Sequence, residues 1–186
     1  MKKNKETVLG QGRFVRLVSR NTWEFVDRHN VKGIVVIVAV TRDGKLVLAD
    51  QYREPVQSRV LELPAGLVGD KGENESLVTA AKRELHEETG YEAKRMKFLC
   101  EGPPSVGLST ERVTFYWAVD PKKTGPGGGD EHEDIVIHEA PLAGIEKWLA
   151  RKRKQGILVD PKVYAGLYFA EKLFSRVEGR ATRDRD

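Results

Sequence analysis

Short apolar runs of β-like period alternate along the chain with longer stretches of helical period, and their succession predicts most of the elements. Residues 1–32 read as an antiparallel hairpin or meander. There Phe14, Arg16 and Val18 alternate with Val15 and Leu17, and Trp23-Glu24-Phe25-Val26 follows a polar Ser-Arg-Asn-Thr turn. Gly33 opens the β-branched run Ile34-Val35-Val36-Ile37-Val38-Ala39-Val40, expected as a buried central strand. Asp43-Gly44 is a tight-turn pair, so residues 45–49 are expected to return as its hairpin partner. A short strand at 60–63 leads into Pro64-Ala65-Gly66, and further strands are predicted at 94–101, 113–119 and 135–140. The Gly/Pro-rich stretch 125–129 is expected to be too flexible to pack. Helices are expected at 142–153 and 161–175, the latter from Val163, Leu167, Phe169, Ala170 and Phe174. This order predicts an α/β protein, a mixed β-sheet sandwiched between helices (α/β/α). The parts are an N-terminal meander (1–32), a main domain (33–176) and a charged, disordered tail (177–186).

One helix, predicted over 76–89, carries the candidate chemistry. Leu77, Ala81 and Leu85 form an apolar stripe at steps of four, and Gly90 supplies a residue that tolerates a left-handed C-terminal cap. The other side gathers Glu84, Glu87 and Glu88, at spacings that place Glu84 beside both of the others. Carboxylates so close repel unless a cation sits among them. Arg83, four residues before Glu87, can neutralise one, and the remainder suit a hard divalent cation such as Mg²⁺ or Mn²⁺. Taken alone, Glu-x-x-Glu-Glu also describes an ordinary solvated acidic face.

Composition narrows the classes. The 186 residues, 39% hydrophobic and 32% charged, fit one globular domain with a sizeable core. A net charge of +4 with cations scattered among acids gives no case for nucleic-acid binding. The single cysteine, Cys100, excludes an internal disulfide and a Cys-rich zinc site. The basic N-terminus lacks the apolar segment of a signal peptide, and the longest apolar run, 34–40, is too short to span a bilayer. A cytoplasmic protein with no membrane partner is expected.

The flanks of the acidic helix make it specific. Gly69, five residues, Glu75, seven residues, then Arg83-Glu84-Leu85-His86-Glu87-Glu88-Thr89-Gly90-Tyr91 resembles the Nudix box, G-x5-E-x7-R-E-U-x-E-E-x-G-U, with only the final aliphatic position replaced, by Tyr91. Within that superfamily the chain most resembles the ADP-ribose and nucleoside-diphosphate-sugar pyrophosphatases. Gln51-Tyr52-Arg53, Glu62-Leu63-Pro64-Ala65-Gly66, Pro104-Ser105-Val106-Gly107-Leu108-Ser109 and Glu131-His132-Glu133-Asp134 carry the narrower likeness. In that group the Pro-Ala-Gly glycine usually is the first of the box; here Gly66 precedes Gly69 by three residues, so the connection is lengthened or its register is ambiguous.

The resemblance implies a Nudix fold and metal-dependent hydrolysis of ADP-ribose or related nucleotide sugars to a nucleoside monophosphate and a sugar phosphate. It implies metal ligation by Glu84, Glu87, Glu88 and the main-chain carbonyl of Ala65, with Mg²⁺ as cofactor and Mn²⁺ as substitute. Glu75 is either a more distant ligand or a helix N-terminal carboxylate favoured by the macrodipole. Catalytic candidates are Arg83, Glu87 and a general base at Glu133 or Glu131. Substrate-binding candidates are Arg53 and Arg59 for phosphate, with Glu62, Leu108 and Glu111 nearby, and Trp23-Glu24 for the base, in a homodimer. For Arg53 the alternative is a surface pair with Glu54 or Asp50, and for Trp23 a place capping the core. Two other functions stay open: hydrolysis of dinucleoside polyphosphates, nucleoside triphosphates or capped RNA, and a non-catalytic nucleotide-sugar sensor.

Overall fold

The computed structural model describes residues 6–29, 31–69, 75–129 and 134–181. Its strands are β1 (Glu6–Gln11), β2 (Val15–Arg20), β3 (Trp23–Arg28), β4 (Gly33–Ala39), β5 (Lys45–Arg53), β6 (Ser58–Glu62), β7 (Ala65–Val68), β8 (Tyr91–Glu92), β9 (Arg95–Gly102), β10 (Val113–Val119), β11 (Lys122–Lys123), β12 (Ile135–Pro141) and β13 (Leu158–Val159). The helices are α1 (Leu77–Thr89), α2 (Ile145–Lys154) and α3 (Pro161–Ala181). Thus α3 runs into the stretch expected as a disordered tail; residues 182–186 lie outside the described residues.

The single mixed sheet of the sequence reading resolves into two four-stranded sheets, ordered β7-β4-β10-β9 and β12-β5-β6-β13. β4 and β10 pair in parallel, as do β6 and β13, and the other neighbours in these sheets are antiparallel. β4 and β5 are not a hairpin. The Val40–Leu46 bridge and bonds between Thr41 and Lys45 (Thr41 N–H to Lys45 O at 2.9 Å, Lys45 N–H to Thr41 Oγ1 at 3.1 Å) join them at the turn, and then they part. The edge that β5 would need is taken: Ile37 N–H donates to Pro64 O at 2.8 Å, and β7 pairs with β4 from Val36–Ala65 to Gly33–Val68.

Strand alternation builds two cores. Val36 and Val38 of β4, with Phe115 and Trp117 of β10, face Ile145 and Leu149 of α2 and Val163, Leu167 and Ala170 of α3. Val35, Ile37 and Ala39, with Tyr116 and Ala118, face Ala80, Ala81 and Leu85 of α1. This is the expected α/β/α sandwich: a β-branched strand buried on both faces reads as a continuous apolar run. The first three strands form a separate antiparallel sheet, β1-β2-β3, as the meander predicted. Its attachment to the rest is a small ladder in which Val26 N–H donates to Leu108 O and Thr110 N–H to Val26 O, at 2.7 and 3.1 Å.

Candidate active site

α1 forms where the sequence placed it. Ser76 caps its start by accepting the Thr79 N–H at 3.1 Å, and Gly90 closes it in the left-handed conformation with φ of 68°. The apolar stripe enters the second core, which turns Glu84 and Glu88 toward β7. Both are buried, at 8% and 4% exposure, whereas a solvated acidic face would leave them in water. The Ala65 N–H donates to Glu88 Oε2 at 3.1 Å. Gly66 is the packing residue beneath Glu84: a β-carbon there would lie 2.0 Å from the Glu84 Cδ. Gly69, with φ of 94°, turns the chain and offers its N–H to Glu75 Oε2 at 3.4 Å. The two glycines therefore have different tasks, Gly66 giving Glu84 room and Gly69 turning the chain.

Arg83 holds the acids together. It donates from Nε and Nη2 to the two Glu75 oxygens at 2.8 and 3.1 Å, and from Nη1 to Glu84 Oε1 and Glu87 Oε2 at 2.7 and 2.9 Å. A further bond from Nη2 reaches Leu67 O at 3.3 Å. The hydrogen bond with Glu75 is the main influence raising its pKa above the ordinary arginine value, and burial opposes it. Glu75 is thus the acidic anchor of Arg83. In this arrangement the carboxylates close on the guanidinium: among the described residues, no three acidic, histidine or cysteine side chains surround a common ion position.

The box helix lies along a cavity of about 1240 Å³. Glu84, Glu87 and Glu88 line it with Ala65, Gly66 and Arg83. Arg53 and Glu62 form a second wall, paired in a fork at 2.7 and 2.8 Å. For Arg53 the sequence leaves open a surface pair with Glu54 or Asp50; the structure pairs it with Glu62, at the end of the neighbouring strand β6. A third wall comes from Leu108, Glu111 and the N-terminal sheet, whose Arg28 donates to Glu111 Oε1 at 2.8 Å.

Three sequence expectations fall elsewhere. Arg59 does not line the cavity: its guanidinium is spent on Asp50 (2.8 Å to Oδ1, 2.6 Å to the main-chain oxygen) and on Asp134 Oδ2 (2.8 Å). Trp23 and Glu24 are not in its lining either; Trp23 is 60% exposed, so it does not cap the core, and β3 contributes Val26 and Arg28 instead. Glu131 and Glu133 lie outside the described residues. Conversely, the Gly125–129 stretch is packed rather than loose. Gly128 and Gly129 donate N–H groups to Glu88 O and Glu87 O at 2.9 and 3.0 Å, and Thr124 donates to Gly90 O at 2.8 Å. These bonds satisfy the carbonyls a helix C-terminus leaves over. Sequence reasoning missed Arg28, which adjacency to Glu111 would not reveal, and Lys162, which reaches the cavity from α3.

Comparison with known proteins follows this geometry. The NUDIX domain family matches residues 31–158. The chain is 36% identical over 122 residues to the methanol dehydrogenase activator of Bacillus methanolicus, covering 65% of this chain and 64% of that protein. It is 34% identical to the ADP-ribose pyrophosphatase of Mycobacterium tuberculosis, covering 73% and 63%. The mouse ADP-sugar pyrophosphatase is 33% identical, covering 77% of this chain and 71% of that one. The match therefore spans slightly under two thirds of the length of the first two relatives. A crystal structure titled as an ADP compounds hydrolase has the same fold, with TM-score 0.69 and 23% identity over 95% of this chain and 94% of that one. With the box helix, its glycine-lined bed and two thirds of its length matched, the chain belongs to the NUDIX domain family.

Proposed function

We propose that this chain hydrolyses the diphosphate bond of ADP-ribose and other nucleoside diphosphate sugars, giving a nucleoside monophosphate and a sugar phosphate. The observation that carries this reading is one cavity in which buried carboxylates of α1 stand close to a forked arginine. A diphosphate diester is dianionic and repels hydroxide, so its cleavage needs positive charge on the phosphates and a base for the water. The donors suit a hard cation by their chemistry: Glu84, Glu87 and Glu88 with the Ala65 carbonyl would supply only oxygen, and the missing β-carbon of Gly66 gives Glu84 its room against β7. Mg²⁺, replaceable by Mn²⁺, would neutralise the diphosphate and acidify water when held there.

The protein's own groups do the rest. Arg53 binds a phosphate through its guanidinium, whose plane Glu62 fixes by occupying the Nε–Nη2 edge. Arg83 keeps Glu84 and Glu87 in position. Glu133, or Glu131, accepts a proton from the attacking water as its oxygen bonds to phosphorus and the bridging P–O bond breaks. Glu111, on the cavity wall, contacts the ribose. A homodimer would bring Trp23 and Glu24 to the base of the neighbouring site, and the apolar sheet that exposes Phe14 (61%), Leu9 (50%) and Leu17 (42%) supports it. Sedimentation showing only monomer at working concentration would remove that part. No helix among the described residues is long and apolar enough to cross a membrane.

The test is product analysis with ADP-ribose, GDP-mannose, UDP-glucose, diadenosine polyphosphates and GTP, with Mg²⁺ and with chelator. Monophosphate plus sugar phosphate, formed only with metal and lost in Glu88→Gln, is the expected outcome. Turnover confined to polyphosphates would overturn the substrate assignment, and an unchanged rate in Glu88→Gln the metal site.

A further inference from the structure

Two cations of the cavity, Arg28 and Lys162, belong neither to the box nor to the Gln-Tyr-Arg segment. Lys162 lies in the first turn of α3, beyond the residues 31–158 that match the family. Strand pairing brings it to the cavity. β13 runs parallel to β6 with Val159 opposite Leu61, and the Asp160 N–H donates to Leu61 O at 3.0 Å. The residue after Leu61 is Glu62, the partner of Arg53, so α3 begins beside the arginine wall. Asp160 then orients the lysine twice, accepting its main-chain N–H on Oδ1 at 2.7 Å and its ammonium on Oδ2. The side chain is still 29% exposed, and it lines the cavity. An ammonium has three donors, of which one carboxylate oxygen takes one.

This wall therefore carries two cations, each steadied by an acid: Arg53 by Glu62 and Lys162 by Asp160. The wall from Leu108, Glu111 and the N-terminal sheet is different: Val15, Val26 and Leu108 supply apolar faces, and its cation, Arg28, is paired with Glu111. A nucleotide sugar has two halves about its diphosphate. The apolar wall suits a base and the doubly cationic wall suits a phosphate, since an ammonium acts as a point charge for anionic oxygen. Resting on the proposed hydrolysis of nucleotide sugars, we infer that Lys162 is a substrate-binding residue that, with Arg53, grips the phosphate leaving with the sugar.

The test uses the full chain with Lys162→Met, which keeps the length of the side chain and the main-chain cap, and with Lys162→Arg. Loss of one charge-assisted hydrogen bond is expected to raise the KM for ADP-ribose about tenfold. Inhibition by ribose 5-phosphate should weaken by a similar factor while inhibition by AMP stays as in the wild type, and arginine should restore most of the difference. An unchanged KM, or equal weakening of both inhibitors, would overturn the inference. Thermal stabilisation by ribose 5-phosphate, compared between wild type and Lys162→Met, reads the same contact without turnover. If the wild type fails to hydrolyse ADP-ribose, the functional proposal falls by itself. Lys162 is then judged by whether the methionine variant loses that stabilisation, equal stabilisation counting against it.

Discussion

Replacing Gly66 with alanine adds a single methyl group and should disable the site through Glu84. The new β-carbon would lie 2.0 Å from Cδ of Glu84, 2.1 Å from Oε1 and 2.5 Å from Oε2. Carbon atoms in contact sit about 3.5–4.0 Å apart, so the carboxyl group must retreat by about 1.5 Å or β7 must shift by the same amount. The strand is held on one side by its ladder to β4, which leaves the side chain to move. A displacement of about 1 Å in a group that orients the reaction costs roughly a hundredfold in rate, so kcat should fall by about that factor or more. Overpacking of this size costs about 1–3 kcal/mol of stability, which urea unfolding would measure and which leaves most of the protein folded. Gly102→Ala is the control, because a β-carbon there meets nothing within 4 Å.

The assay is steady-state hydrolysis of ADP-ribose by folded Gly66→Ala, Glu84→Gln and the double variant. If glycine is needed only to seat Glu84, the double variant should lose no more than Glu84→Gln alone, since both changes remove one interaction. Wild-type kcat in Gly66→Ala, or full additivity in the double variant, would refute the reasoning.

Gly127→Ala should cost stability as well as activity. Its β-carbon would stand 2.4 Å from the Thr89 carbonyl carbon at a φ of 68°, so a urea midpoint unchanged within error would contradict the packed arm. A pH effect is expected at the turn before β5. The Lys45 ammonium first, then the Thr41 hydroxyl, lower the Asp43 carboxyl from its ordinary 3.8 to about 2. A depressed carboxylate stabilises the fold above 3.8 and loses that contribution as pH falls through about 2, so Asp43→Asn should lower stability at neutral pH, modestly for so exposed a group, and converge with the wild type near pH 2, flattening the acid limb.

What was legible in the chain was whatever local spacing decides. The α1 boundaries, its cap and its apolar stripe depend on neighbours within a few residues, and all were read correctly. Strands β4, β9, β10 and β12 were legible for the same reason. Partnership was not. Asp43-Gly44 is a real turn, yet the edge of β4 goes to β7, a strand hidden because Pro64-Ala65-Gly66 reads as a bend. Arg59 carries no sign in the sequence that Asp134, 75 residues away, holds it. Lys162 reaches the site only through a two-residue parallel pairing, too short to leave a pattern. The glycines of 125–129 were misread because absence of side chains permits both freedom and close approach. Here it permits approach: a β-carbon at Gly90 would lie 2.1 Å from Gly125 O.

That close approach bears on how three carboxylates can share one helix face. Glu84, Glu87 and Glu88 fall on the last turns of α1, where the helix dipole is negative and opposes them. Two features of the fold offset the conflict from different directions. Arg83 neutralises Glu84 and Glu87 from within the face and is tied down by Glu75. From behind, the arm brings the N–H groups of Gly128 and Gly129 and the Lys123 ammonium, 2.6 Å from Thr89 O, onto the carbonyls that make the C-terminal end negative. The acids can therefore be kept close without a metal to pay the electrostatic cost, provided the arm stays docked. Because Gly129 also lines the cavity, the segment that caps the helix passes directly into the site. Loosening the arm at Gly127 should then disturb the carboxylate cluster from the side that touches no substrate, which is why that variant is expected to lose activity and stability together.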